Sequence, residues 1–356
     1  MELTNQLTQQ LAVRYPIIQA PMLGITTPEM VAAVSNAGGL GSLPIGGLAP
    51  EKARQLIRKT KSLTGKPFAV NLFAHTLPTE VDWDSVEKMQ HFLEELCAKY
   101  GVTFSRFSEE DFTFYTYQDQ LEVLQEEEVG IVSFTFGLLD SLSIALLHKR
   151  DVKLIGTATC VEEAILLEES GVDMISAQGI EAGGHRGSFT SNHPLPMIGS
   201  MTLIPQVVQS VKVPVVAAGG ISDGMGIKAA FSLGAQGVQV GSLFLRSHES
   251  AANEAYKESI LHSKDTDTAL TRSFSGRWAR GVVNQFMKSV EASGLSIPPY
   301  PVQNSLTAAI RASAKKQGKK DFLSLWGGQA ASKAPAKSSR EIFDELLSSF
   351  RILLNG

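Results

Sequence analysis

The chain is poor in cysteine, in net charge and in long apolar runs, and each shortage removes a class of protein. Only 2 of its 356 residues are Cys, and Cys97 and Cys160 stand far apart with no Cys or His cluster beside either. Neither a disulfide framework nor a thiolate metal site is expected. Acidic and basic side chains nearly cancel, leaving a formal net charge of −4; the basic field that a nucleic-acid backbone requires is missing, so no nucleic-acid partner is expected. Nowhere does an uninterrupted apolar run approach the roughly 18 residues of a membrane span. The amino terminus, MELTNQLTQQLAVRYP, is too polar for a signal peptide. A cytoplasmic protein without membrane contact is the expectation. Glycine and proline, at 31 and 15 residues, are near ordinary usage, which excludes collagen-like and low-complexity chains.

What the sequence has in quantity is alternation. Apolar runs of strand length recur at 16–20, 39–43, 67–72, 130–134, 152–156, 172–177, 213–218 and 237–241, with helix-length segments between them, such as 28–37 and 50–61. Near-continuous apolar strands alternating with helices indicate a parallel sheet covered on both faces, and eight such units are the number in a TIM (β/α)8 barrel. An open doubly wound sheet is the alternative. A stretch at about 74–128 interrupts the rhythm as a helical insertion after the third strand. After residue 270 the strand pattern stops, and helical segments near 302–317 and 339–354 follow. The division expected is a barrel over 1–270 and a helical extension, 271–356, packed on it.

Barrels of this kind build their sites at the C-terminal ends of the strands and commonly hold phosphate on the loops after strands seven and eight. Strand seven runs into Ala217-Ala218-Gly219-Gly220-Ile221-Ser222-Asp223-Gly224, and strand eight into Gln239-Val240-Gly241-Ser242. Glycine lets the backbone approach an anion, and helix-entry N–H groups favour negative charge; the pair reads as a phosphate cradle. The loop after strand six, Ala177-Gln178-Gly179-Ile180-Glu181-Ala182-Gly183-Gly184-His185-Arg186-Gly187, carries His185, the side chain there best suited to exchange a proton near neutral pH. His193 and His75 compete more weakly, and His91, His148, His248 and His262 fall in segments read as helical. Strand one ends in Gln19-Ala20-Pro21-Met22 and strand three in Asn71-Leu72-Phe73. Apolar backbone with single amide side chains suits an uncharged planar ring rather than a metal, which wants converging carboxylates or imidazoles. No metal is expected.

Together the runs QAPM at 19–22, VNLF at 70–73, QGIEAGGHRG at 178–187, AAGGISDG at 217–224 and QVGSLF at 239–244 resemble the nitronate monooxygenase family, formerly called 2-nitropropane dioxygenases. The similarity extends to SGRWARGVVNQF at 275–286, PPYPVQN at 298–304 and DFLSLWGGQA at 321–330, and is weakest in the insertion. It implies a TIM barrel with non-covalent FMN that oxidises alkyl nitronates, such as propionate 3-nitronate, with O2. By the same resemblance Asn71, Gln178 and Gly183 contact FMN, Gly220, Gln239, Val240, Gly241 and Ser242 surround its phosphate, and Met22 lies near the ring through its backbone. Ser242 stands where many relatives have Thr, and both supply a hydroxyl. His185 matches the family's active-site histidine, a base or a stabiliser of the anionic substrate. Two other readings are an FMN- and NAD(P)H-dependent enoyl reductase of fatty-acid synthesis and a non-catalytic flavin-binding protein. The chain lacks a GxGxxG dinucleotide fingerprint, which weighs against nicotinamide.

Overall fold

The structure, a computed structural model, describes residues 3–190 and 195–355. Its strands are β1 (Ile17–Gln19), β2 (Gly41–Pro44), β3 (Phe68–Phe73), β4 (Ile131–Thr135), β5 (Lys153–Ala158), β6 (Met174–Gln178), β7 (Gly184–His185), β8 (Val215–Ala218), β9 (Gly237–Val240), β10 (Thr268–Thr271) and β11 (Ala279–Val282). Eight of them form one parallel sheet in the order β1-β9-β8-β6-β5-β4-β3-β2. A parallel bridge between Ile18 and Leu40 brings β1 back against the start of β2: the Gln19 N–H donates to Leu40 and the Leu40 N–H to Ile17. The sheet therefore curls into a barrel and is not the open alternative.

Side chains alternate across a strand, so every second residue points into the barrel, and along the strands these inward positions change character. At the N-terminal end Ile18, Leu40, Ala69, Ile131, Ile155, Met174 and Val216 pack with Leu7 and Leu11. Those two leucines belong to a short helix, Gln6–Leu11, that plugs this mouth. Its start is fixed by a reciprocal cap in which the Thr8 N–H donates to Asn5 Oδ1 and the Asn5 N–H to Thr8 Oγ1. Two or four residues further along the same faces stand Asn71, Thr135, Thr157 and Gln178, which line a cavity. One end of the barrel is hydrocarbon and the other is amides and hydroxyls.

Around the barrel the structure refines the expected layout in three places. The helix Gln118–Glu126 belongs to the barrel, not to the insertion, because Val123 and Leu124 pack with Val70, Val132 and Ile57 of the main core. The rest of the insertion leans on the carboxy-terminal region: Val86, Met89 and Leu93 of the helix Trp83–Tyr100 meet Phe286, Leu306 and Ile310. Lys319 donates to the Gly101 carbonyl at 2.7 Å, tying that helix's C-terminal end to the extension. Second, strand structure continues past 270: β10, β11 and β7 form an antiparallel sheet of three, too short in each run to show a period of two. Third, the last helix, Ser339–Asn355, returns to the barrel. Its Phe343, Leu346 and Phe350 pack with Met30, Val34, Ile227 and Ala230, where a helix after β9 would complete the outer ring. Among the described residues no helix is long and apolar enough to cross a membrane.

Candidate active site

At the C-terminal ends of the strands a cavity of about 500 Å³ opens under the extension, within the size range of small-molecule sites. Met22, Asn71, Gln178, Gly183, Gly220, Gln239, Gly241, Ser242 and His185 all line it. Val240 does not: it is buried in the core beside Ile17 and Val238, and its carbonyl accepts from the Ala20 N–H. His193 lies outside the described residues. His75 is buried, with neither ring nitrogen paired to a side chain, and packs edge-on to Tyr300 at 4.8 Å; burial, reinforced by the charge of Arg277, holds it down to about 4. His248 sits in a turn and His262 just past a helix end, not within helices.

On one side of the cavity are the glycine loops. Gly219 and Gly220 have φ of +107° and +73°, a left-handed backbone that glycine adopts without strain. Among the described residues the N–H groups of Gly220, Gly241 and Ser242 find no protein acceptor. Unpaired N–H groups at a strand-to-helix turn form an anion site. The Ser242 hydroxyl accepts from the Gly328 N–H at 2.9 Å, so the extension closes over the loop after β9. At Gly183 a Cβ would stand 2.3 Å from the Gly328 nitrogen, and no other residue fits there.

The loop after β6 is braced from behind. Arg186 is 1% exposed; its guanidinium donates to the carbonyls of Gly179 at 2.7 Å and Gln178 at 3.0 Å, while Arg280 donates to Ile180 at 2.9 Å. Gln178 uses its own amide on the loop, donating to the His185 carbonyl at 3.1 Å and accepting from the Gly187 N–H at 2.9 Å. Asn71 donates to the Ser133 hydroxyl at 3.0 Å, which leaves its Oδ1 for a ligand.

His185 stands at the other side of the cavity, in β7, where it pairs with Ala279 of β11. Its Nε2 is 2.8 Å from Ser275 Oγ, and the rings of Phe136, Tyr300 and Trp326 surround it at 5.8, 6.4 and 5.4 Å. Phe136 has φ +79°, a strained value for a non-glycine residue and one that marks functional sites; the Arg277 guanidinium lies 4.3 Å over its ring. Arg311 lines the cavity as well. Burial, then the positive charges of Arg277 and Arg311, pushes His185 down to about 3, so its imidazole is neutral throughout the physiological range. Burial lowers both arginines only to about 10 and raises Tyr300 to about 12. Among the described residues Glu181 is the one acidic side chain on the wall, and it is engaged with the Ser200 N–H and hydroxyl at 2.8 and 2.9 Å. The His185 end of the cavity is therefore electropositive and rich in donors.

Ser275, Arg277, Tyr300, Arg311 and Trp326 all come from the extension and were not singled out by the sequence reading. The one local signal is that 275–286 and 298–304 carry Arg and Tyr and that neither run contains an acidic residue.

A profile of the nitronate monooxygenase family matches residues 4–349. The chain is 44% identical over 354 residues, 98% of each sequence, to a probable nitronate monooxygenase from Staphylococcus haemolyticus. Among solved structures, nitroalkane oxidase from Streptomyces ansochromogenes superposes with a TM-score of 0.90 at 34% identity over 99% of both chains. FabK from Thermotoga maritima superposes with 0.77 at 28% identity, covering 99% of this chain and 97% of that one. The chain belongs to the nitronate monooxygenase family of flavin-dependent oxidoreductases.

Proposed function

We propose that the protein binds FMN without a covalent link and uses it to oxidise preformed alkyl nitronates, such as propionate 3-nitronate, with O2. The observation that carries this reading is a buried, neutral His185 close to the charges of Arg277 and Arg311, neither of which has an ion-pair partner among the described residues: an electropositive, donor-rich end of the cavity prefers an anion that arrives as one. FMN is supported by the free N–H groups of Gly220, Gly241 and Ser242, which suit one terminal phosphate. Met22, Asn71, Gln178 and Gly183 would flank the ring, and Gln239 would stand with the phosphate loop. When bound, FMN supplies the redox chemistry, taking electrons from the substrate and returning them to oxygen.

The protein's own part is placement and charge. The Ser275 hydroxyl has two acceptors within reach, Nε2 of His185 at 2.8 Å and the Arg277 carbonyl at 3.1 Å; donating along the shorter contact, it leaves the His185 proton on Nδ1, which then donates to a nitronate oxygen. Arg311 adds positive charge, and Phe136, Tyr300 and Trp326 keep water from the anion, so each donor counts for more than it does in water. A group with a pKa of about 3 is a poor base at neutral pH. That separates the two roles open for His185 and favours the anion stabiliser.

The test is anaerobic mixing followed at the flavin absorbance band. Propionate 3-nitronate is expected to bleach the band within a catalytic turnover, and NADH or NADPH to leave it unchanged over the same time. Rapid bleaching by NADH and none by the nitronate would identify a nicotinamide-dependent reductase and overturn the proposal.

A further inference from the structure

Arg311 sits on the cavity wall in the helix Ala308–Gln317, and its hydrogen bonds use only part of its donor set. Nη2 donates to the Asn304 carbonyl at 2.7 Å and to Asn304 Oδ1 at 2.9 Å, and Nε donates to the Thr307 carbonyl at 3.3 Å. These contacts fix the plane of the guanidinium. Among the described residues Nη1 has no protein acceptor, and no carboxylate pairs with the group. Lys315, one turn further on the same helix, also lines the cavity, and its amine reaches only the Ala251 carbonyl at 3.2 Å. Enclosing a cation without an acid is costly unless something else supplies the negative charge.

His185 and the positive charge around it account for one anion, the nitronate. From Arg311, and resting on the nitronate reading above, we infer a second: Arg311 is the specificity-determining residue that receives a carboxylate on the far end of the substrate chain, through a charge-assisted hydrogen bond from its free Nη1, in a plane already fixed by Asn304 and Thr307. The enzyme then favours nitronates that carry a carboxylate over plain alkyl nitronates of equal length. Lys315 adds same-sign charge nearer the mouth and draws such dianions in.

The test compares the flavin-loaded enzyme with its R311M and R311K variants on two substrates, propionate 3-nitronate and 1-propyl nitronate. Calorimetric titration with succinate, a near-isosteric dianion, and with butyrate, its monoanionic counterpart, provides a readout independent of turnover. R311M is expected to lose activity on both nitronates, since the charge of Arg311 also favours the nitronate group, but to lose about 10–100-fold more in kcat/KM on propionate 3-nitronate than on 1-propyl nitronate, the loss of a charged hydrogen-bonded contact. Succinate is expected to bind the parent more tightly than butyrate and to lose that advantage in R311M, with R311K regaining part of both effects. Equal losses on the two nitronates would reduce Arg311 to a helix-capping residue and overturn the inference. A parent enzyme that oxidises neither nitronate sinks the functional reading instead. In that case the titration decides on Arg311 alone, and succinate bound no better than butyrate, or equally by parent and R311M, counts against it.

Discussion

The variant H185N is expected to purify with its full complement of flavin and to lose about 10²–10³-fold in kcat/KM on propionate 3-nitronate, the loss typical of removing one preorganised donor to a reacting anion. Flavin is retained because the anion site is built from backbone of the loops after β8 and β9, none of which touches the imidazole. Asn keeps a donor but cannot reproduce the Ser275-anchored ring plane, so some activity survives. The pH profile adds an independent reading. A histidine with its ordinary pKa near 6.5 would lose its neutral form as pH falls through 6.5, and a rate depending on that form would fall with it. His185, held at about 3 by burial and by Arg277 and Arg311, stays neutral from pH 8 down to about pH 4. The parent is therefore expected to show no loss of rate between pH 8 and 5.5 that H185N lacks. A limb near pH 6.5 present only in the parent would contradict the environment described here, and unchanged turnover in H185N with flavin bound would make His185 a structural loop residue.

G241D is expected to give folded, colourless protein. A Cβ at Gly241 would stand 3.3 Å from the Ala20 Cβ and 3.8 Å from the Met22 sulfur, tight but outside the core, so the barrel survives. The carboxylate, however, is delivered to the N–H groups of Gly241 and Ser242 and satisfies them from within, while repelling a phosphate. Far-UV circular dichroism should match the parent, and the flavin released on denaturation should fall to background. In the parent, that released flavin should be FMN, not FAD. Undiminished flavin in G241D would remove the phosphate from this loop.

Much of this was legible in the sequence because a barrel repeats a local pattern. Each strand announces itself by an apolar run, and the rule that chemistry gathers at the strand ends then selects Gln178, Gly220, Gly241 and His185 without any knowledge of packing. The errors have a common cause, which is that they concern what meets across long separations. Gln118–Glu126 reads like the insertion that precedes it and is assigned to the barrel only by the contacts of Val123 and Leu124. Ser339–Asn355 shows an amphipathic pattern, yet nothing in that pattern says that Phe343 and Phe350 face Met30 and Ile227. Val240 sits in a glycine-containing run, and the alternation of β9 turns it into the core while Gln239 and Gly241 face the cavity. The extension lid is the largest omission. Tyr300 and Arg311 follow Asn71 by more than two hundred residues, and no local spacing records that they share a cavity with it. The depressed pKa of His185 follows from that lid, so the sequence left base and anion stabiliser equally open.

The most direct measurement is the initial rate of oxygen uptake at pH 7 on 3-nitropropionate supplied in two forms, pre-equilibrated as the nitronate or freshly dissolved as the neutral nitro form, which interconvert slowly. A cavity that holds an anion and has no competent base should consume oxygen at once with the nitronate, and with the nitro form only as fast as it ionises unaided in solution. Equal initial rates for both forms would mean that the site removes the proton itself, and that a neutral His185 held under the charges of Arg277 and Arg311 is not what governs the reaction.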